Sequence, residues 1–99
     1  MQIEQVPATE WEAWLSTNGG ILLDVREPVE WAHGTLPGAR QVRLFELPET
    51  IEDLDKTTPV LIVCRSGSRS QQAAMYMAMS GFESVANLAG GMKALGLQS

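Results

Sequence analysis

The sequence predicts an α/β fold, with a central, mostly parallel sheet of about five strands and helices on both faces. Three observations lead there. Strand-like and helix-like patterns alternate along the chain. The strands are apolar throughout (Ile21-Leu22-Leu23, Val60-Leu61-Ile62-Val63) and do not alternate with polar residues, as expected of strands covered on both faces. Turn signals recur at short intervals: Asn18-Gly19-Gly20, Pro37-Gly38, Thr57-Thr58-Pro59, Ser80-Gly81 and Gly90-Gly91. At 99 residues the chain has the length of one domain and is too short for two independent cores, so residues 1–99 read as a single domain.

Thr9-Glu10-Trp11-Glu12 has the pattern of a capping box, and Trp11, Trp14 and Leu15 then form one apolar stripe of a short helix. Asn18-Gly19 ends it. Ile21–Val25 is an apolar strand carrying one acid, Asp24. Pro28 suits the first turn of a second short helix over Val29–Ala32, because its missing N–H is not needed there. Ala39–Leu44 reads as a strand. Leu47, Ile51 and Leu54 mark a third helix, with Glu46, Glu49, Glu52, Asp53 and Asp55 as its solvated face. Val60–Val63 is the most β-prone run. Ser68-Arg69-Ser70-Gln71 resembles a second capping box, opening a helix to about Met79 with Gly81 as its stop. On that helix Ala73, Ala74 and Ala78 permit close approach to the sheet, and Met75 and Met79 are expected to pack. Val85–Leu88 is the last strand and Met92–Leu95 a short final helix.

Composition narrows the function. The net charge of −5 repels phosphate backbones, so no nucleic-acid partner is expected, and any anion site must be built locally. No apolar run approaches the roughly 20 residues of a membrane span, and Met1–Gln5 carries no secretory pattern. A cytoplasmic, membrane-free protein is the expectation. One Cys allows no internal disulfide and no resolving thiol. One His and no Cys/His cluster argue against a metal, and no cofactor is implied. Nothing demands more than a monomer.

The segment Val60–Ser70 carries the chemistry. A buried strand delivers Cys64, a loop of small residues follows with an Arg on each side of Gly67, and a helix then begins. Sites in parallel sheets lie beyond the C-terminal ends of the strands, where Cys64 sits. A helix N-terminus, a Gly/Ser loop that turns amides inward, and the charges of Arg65 and Arg69 each favour negative charge on sulfur. A thiolate so placed is a competent nucleophile at neutral pH. A lone Cys ending an apolar strand is usually a small core residue. Arg65, Ser66, Gly67, Ser68 and Arg69 in the next five positions weigh against that here.

Four motifs in order resemble the rhodanese superfamily. They are Leu22-Leu23-Asp24-Val25-Arg26-Glu27, Glu30 to Ala39, the loop Cys64–Arg69, and Gly81-Phe82 with Leu88-Ala89-Gly90-Gly91-Met92. The resemblance runs from about Thr9 to Met92. It implies a rhodanese-like domain and a thiosulfate sulfurtransferase. In that mechanism Cys64 takes the outer sulfur of thiosulfate or a related donor as a persulfide and passes it to cyanide or a thiol. The loop residues Arg65, Ser66, Gly67, Ser68 and Arg69 hold the persulfide, and Arg65 and Arg69 attract the anionic donor. Asp24 and Arg26 are supporting residues near the loop: Asp24 reads as half of a structural ion pair, while Arg26 stays open between that role and the site. Two features depart from the family pattern. Thr35 holds a place often taken by His, with His33 before the glycine as a helix-end or surface residue. Leu95 stands where Trp is common, in a shortened final segment that leaves the pocket more open or the last helix frayed.

Other functions use similar parts. Cysteine-dependent phosphatases and arsenate reductases share this fold, but their loop is one residue longer and His commonly precedes the Cys; here Val63 precedes and the sixth position after Cys64 is Ser70. A persulfide carrier or sensor fed by a partner protein would use the same Cys and loop. A non-catalytic interaction module is disfavoured, since such domains tend to lose the cysteine.

Overall fold

The computed structural model describes residues 3–97. Strands β1 (Glu4–Val6), β2 (Ile21–Asp24), β3 (Arg40–Gln41), β4 (Val60–Val63) and β5 (Val85–Leu88) form a sheet in the order β1-β5-β4-β2-β3. Every neighbouring pair is parallel. The parallel, doubly covered sheet expected from the apolar strands is therefore present. β4 lies at its centre, and all four of its residues have no exposed surface.

Successive side chains on a strand point to opposite faces. Val60, Ile62 and Cys64 thus enter one core with Leu23, Val25, Ala73, Ala74 and Met77. Leu61 and Val63 enter the other with Leu22, Ala86, Leu88 and Met92. The first core is covered by α3 (Leu47–Thr50) and α4 (Ser68–Met79). The second is covered by α1 (Trp11–Asn18), through Trp11, Trp14 and Leu15, and by α5 (Gly91–Ala94), through Met92. Fully burying one Val, Leu or Ile stabilises the fold by about 1.5–3 kcal/mol, against about 0–1 kcal/mol for an exposed ion pair, so β4 anchors the molecule.

Several elements differ from the sequence reading. β1 was not legible: Glu4 and Gln5 are exposed, and Val6 is its one buried residue. It is an edge strand held by β5. The strand expected over Ala39–Leu44 is only Arg40–Gln41, because a 3-10 turn begins at Leu44. The third helix is α3 followed by a 3-10 turn over Ile51–Asp53; Leu47, Ile51 and Leu54 still face the core, and its acids are exposed. Neither expected capping box forms. A 3-10 turn over Ala8–Glu10 leads into α1, and α4 starts from Gly67 without a side-chain cap. Met75 and Met79 do not pack: they are 40% and 75% exposed, and Met77 fills the core instead. Pro28 does open the short helix α2 (Pro28–Trp31), where the Glu27 N–H donates to Glu30 Oε1 at 3.0 Å. α5 ends at Ala94, with Leu95 half-buried against the second core. No helix among the described residues is long and apolar enough to cross a membrane.

Candidate active site

Cys64 is the first residue after β4, at the C-terminal end of the central strand. Its side chain is fully buried. The loop after it is held from behind by α5. The Met92 N–H donates to the Cys64 carbonyl at 2.9 Å and the Lys93 N–H to the Arg65 carbonyl at 3.0 Å. Gly91 makes this approach possible. Its φ is +60°, and a Cβ there would collide with the Cys64 and Arg65 carbonyls.

With those carbonyls turned toward α5, the next amides turn toward sulfur. The Gly67 N–H donates to Cys64 Sγ at 3.1 Å, and the Ser70 hydroxyl lies 3.2 Å from the same atom. Gly67 has φ +103°, and a Cβ would meet Gly90 N at 3.2 Å. The first amides of a helix have no partner inside it, so α4 offers its open end to the sulfur. Burial pushes the Cys64 thiol up. The Ser70 hydroxyl and the N–H groups of Ser70, Gly67 and Ser66 pull it down and prevail, so the thiol ionises below its ordinary value of 9.0.

The two loop arginines differ. Arg65 is exposed and makes no ion pair among the described residues. Arg69 is bound to Glu30 of α2 by two parallel bonds, Nη1–Oε1 at 2.6 Å and Nη2–Oε2 at 2.7 Å. Its charge is thus matched by a carboxylate of α2, a partner that the sequence reading of Arg69 as a donor-attracting cation did not include. The Arg69 guanidinium holds Glu30 down to about 2, against the opposing effect of burial. Ser66 and Ser68 are exposed on the loop's outer side, beside an open hollow also lined by Gly67, Gln5, Gln71 and Asn87.

Asp24 and Arg26 form a fully buried pair, Arg26 Nη2 to Asp24 Oδ2 at 2.8 Å. Arg26 also donates to the carbonyls of Glu30 at 3.2 Å and Gly34 at 2.8 Å. The pair fastens the end of β2 to α2 and the turn after it. Losing one partner of such a pair costs about 3–5 kcal/mol, because the other charge stays buried. His33 is exposed after α2. No cluster of metal-ligating side chains occurs among the described residues.

Sequence reasoning missed four residues here. Ser70 and Asn87 are buried, and Ser70 Oγ donates to Asn87 Oδ1. Gln5 and Gln71 complete the group around Asn87. A signal existed for Asn87, the one polar residue in Val85-Ala86-Asn87-Leu88. None existed for Gln5, which the parallel pairing of β1 with β5 brings 82 positions across the chain.

Comparison with known proteins agrees with this architecture. The family model described as Rhodanese-like domain matches residues 7–97. The chain is 44% identical over 73 residues to a putative sulfurtransferase, YtwF, of Bacillus subtilis, covering 74% of this chain and 70% of that one. It is 35% identical over 79 residues to the thiosulfate sulfurtransferase GlpE of Ectopseudomonas mendocina, covering 80% and 72%. Among solved structures, reduced CoADR-RHD of Bacillus anthracis superposes with a TM-score of 0.85 at 33% identity. That match covers 95% of this chain and spans only 16% of that protein's length.

Proposed function

The chain belongs to the rhodanese-like domain family, and from that membership we propose that it is a sulfurtransferase working through a persulfide on Cys64. The observation that carries the reading is the Cys64 sulfur facing the Gly67 N–H at 3.1 Å and the Ser70 hydroxyl at 3.2 Å, at the open end of α4. Relatives named as sulfurtransferases, one of them a thiosulfate sulfurtransferase, support the reaction class and thiosulfate as the first donor to test.

The Cys64 thiolate attacks the outer sulfur of thiosulfate. The new S–S bond forms as the bond to the sulfonate sulfur breaks, and sulfite leaves with that electron pair. The terminal sulfur of the persulfide then carries the negative charge. Cyanide or a thiolate attacks it in turn, leaving as thiocyanate or a new persulfide, and Cys64 returns as thiolate. The amides of Ser66, Gly67 and Ser70 stabilise charge on sulfur at both stages. Arg65 supplies the exposed positive charge that draws an anionic donor. Asp24 and Arg26 serve the loop indirectly, by holding α2 and thereby Glu30 against Arg69.

Arg69 stands five positions after Cys64 and Ser70 holds the sixth, a loop one residue shorter than the phosphatase pattern, which favours sulfur over phosphate. Steady-state kinetics with thiosulfate and cyanide test the proposal. Parallel double-reciprocal lines, abolished by Cys64→Ser, are expected. Intersecting lines, or turnover retained in Cys64→Ser, contradict it. Saturable turnover with a small donor separates an enzyme from a carrier loaded only by a partner protein.

A further inference from the structure

On the α4 side of the sheet a group of uncharged polar side chains stands behind Cys64. Gln5 of β1, Asn87 of β5 and Cys64 after β4 project to this same face, and Ser70 and Gln71 descend from α4. The Ser70 hydroxyl has one hydrogen and two acceptors within reach, Cys64 Sγ at 3.2 Å and Asn87 Oδ1.

The amide of Asn87 cannot turn over to relieve this. Its Nδ2 donates to the Gly67 carbonyl at 3.2 Å and to Gln5 Oε1 at 3.0 Å. A backbone carbonyl only accepts, which fixes Nδ2 toward Gly67 and Oδ1 toward Ser70. Gln5 is fixed in the same way, because its Nε2 donates to the Ile3 carbonyl at 3.1 Å and to Gln71 Oε1 at 2.7 Å. Two backbone carbonyls therefore orient the whole chain of amides.

We propose that Asn87 is a positioning residue for the sulfur chemistry, competing with Cys64 for the single hydrogen of Ser70. With the hydrogen on sulfur, the thiolate is stabilised, but Ser70 Oγ and Asn87 Oδ1 face each other as bare acceptors. With the hydrogen on Asn87, Ser70 Oγ accepts instead from the protonated Cys64. Once Sγ is bonded to a second sulfur its charge has moved outward, and the hydrogen rests on Asn87 without loss. Asn87 thus disfavours the free thiolate relative to both the thiol and the persulfide. Only this last consequence rests on the sulfur-transfer reading. The competition itself is a property of the resting thiol.

Charged groups on the surrounding elements include Glu4 on β1, Arg65 in the loop, Arg69 on α4, Glu27 and Glu30 at and on α2, Asp24 and Arg26 at the end of β2, and Lys93 on α5. They stay constant in a cycle that changes only Ser70 and Asn87. The thiol pKa is read from thiolate ultraviolet absorbance and from the pH dependence of alkylation by iodoacetamide, in wild type, Asn87→Leu, Ser70→Ala and the double variant. Asn87→Leu is expected to increase the thiolate fraction roughly threefold to tenfold, a pKa fall of about 0.5–1 unit, the size of one hydrogen bond redirected to a charged sulfur. Ser70→Ala is expected to raise the pKa. Asn87→Leu is expected to have no effect in the Ser70→Ala background. An equal shift in both backgrounds indicates general disruption of the loop and overturns the proposal, as does no shift or a rise in the single variant. If Asn87→Leu fails to unfold cooperatively, Asn87→Thr, whose hydroxyl is one atom too short to reach Ser70, is held to the same criteria. No sulfur donor enters this titration. Failure of sulfur transfer appears separately, as absence of turnover with an intact titration.

Discussion

Arg69 and Glu30 clamp the end of the active loop to helix α2, guanidinium to carboxylate, through two bonds of 2.6 and 2.7 Å. The bonds join residues 39 positions apart and leave only partial exposure, 31% for Arg69 and 16% for Glu30. The clamp fixes the first turn of α4, whose amides face Cys64.

This clamp gives the protein an acid-sensitive component. The Glu30 carboxyl ionises near 2 in the folded protein against an ordinary 4.5. A depressed carboxyl stabilises the fold fully above its unfolded value and loses that contribution as pH falls through the folded one. Glu30→Gln is therefore expected to cost about 1–2 kcal/mol at pH 7, after discounting for solvent screening. The gap between variant and wild type should narrow as pH drops from about 4.5 toward 2. Denaturant midpoints measured across that range check it. A gap that stays constant with pH assigns the loss to packing and not to charge.

Gly91 and Gly19 form a matched pair for testing the close approach of α5 to the loop. Their φ values are +60° and +63°, but a Cβ at Gly19 meets nothing within 4 Å whereas one at Gly91 meets two loop carbonyls. Gly19→Ala should cost about 1–2 kcal/mol, the strain of a left-handed alanine. Gly91→Ala should cost several kcal/mol in addition and distort the sulfur cradle. Thermal unfolding of both variants gives the comparison, and equal losses would mean that α5 does not brace the loop.

Arg65 and Arg69 should separate in kinetics. Arg65→Ala removes an exposed charge with no ion-pair partner among the described residues, so KM for thiosulfate is expected to rise roughly fivefold at low ionic strength, from about 1 kcal/mol of screened attraction. Stability should be unchanged. Arg69→Ala should lower stability, since it leaves Glu30 without its partner. A thiosulfate KM insensitive to Arg65→Ala and to salt would remove the steering role.

The parts of the site that are contiguous in sequence were legible, and those assembled from separate elements were not. Cys64 to Arg69 could be read as a cradle because strand, glycine loop and helix start follow one another directly. The Ser68-to-Gln71 capping pattern misled because Gly67, at φ +103°, takes the cap position while the Gly67 and Ser70 amides turn to sulfur. Gln71, expected to cap, accepts from Gln5 instead. The partner of Arg69 lies on α2, and no local pattern links the two. Asp24 and Arg26 came into view together only through the family resemblance of Leu22 to Glu27, and the buried pair they form joins residues two apart at the end of β2. β1 escaped because an edge strand of two exposed residues and one buried carries no periodicity.

The most direct test of the central claim is the intact mass of the protein after thiosulfate and then after cyanide, with Cys64→Ser alongside. A gain of one sulfur atom (~32 Da) in wild type alone, reversed by cyanide with release of thiocyanate, is the result a Cys64 persulfide cycle predicts. A gain that persists in Cys64→Ser, or thiocyanate formed by wild type with no gain in mass at any stage, would contradict it.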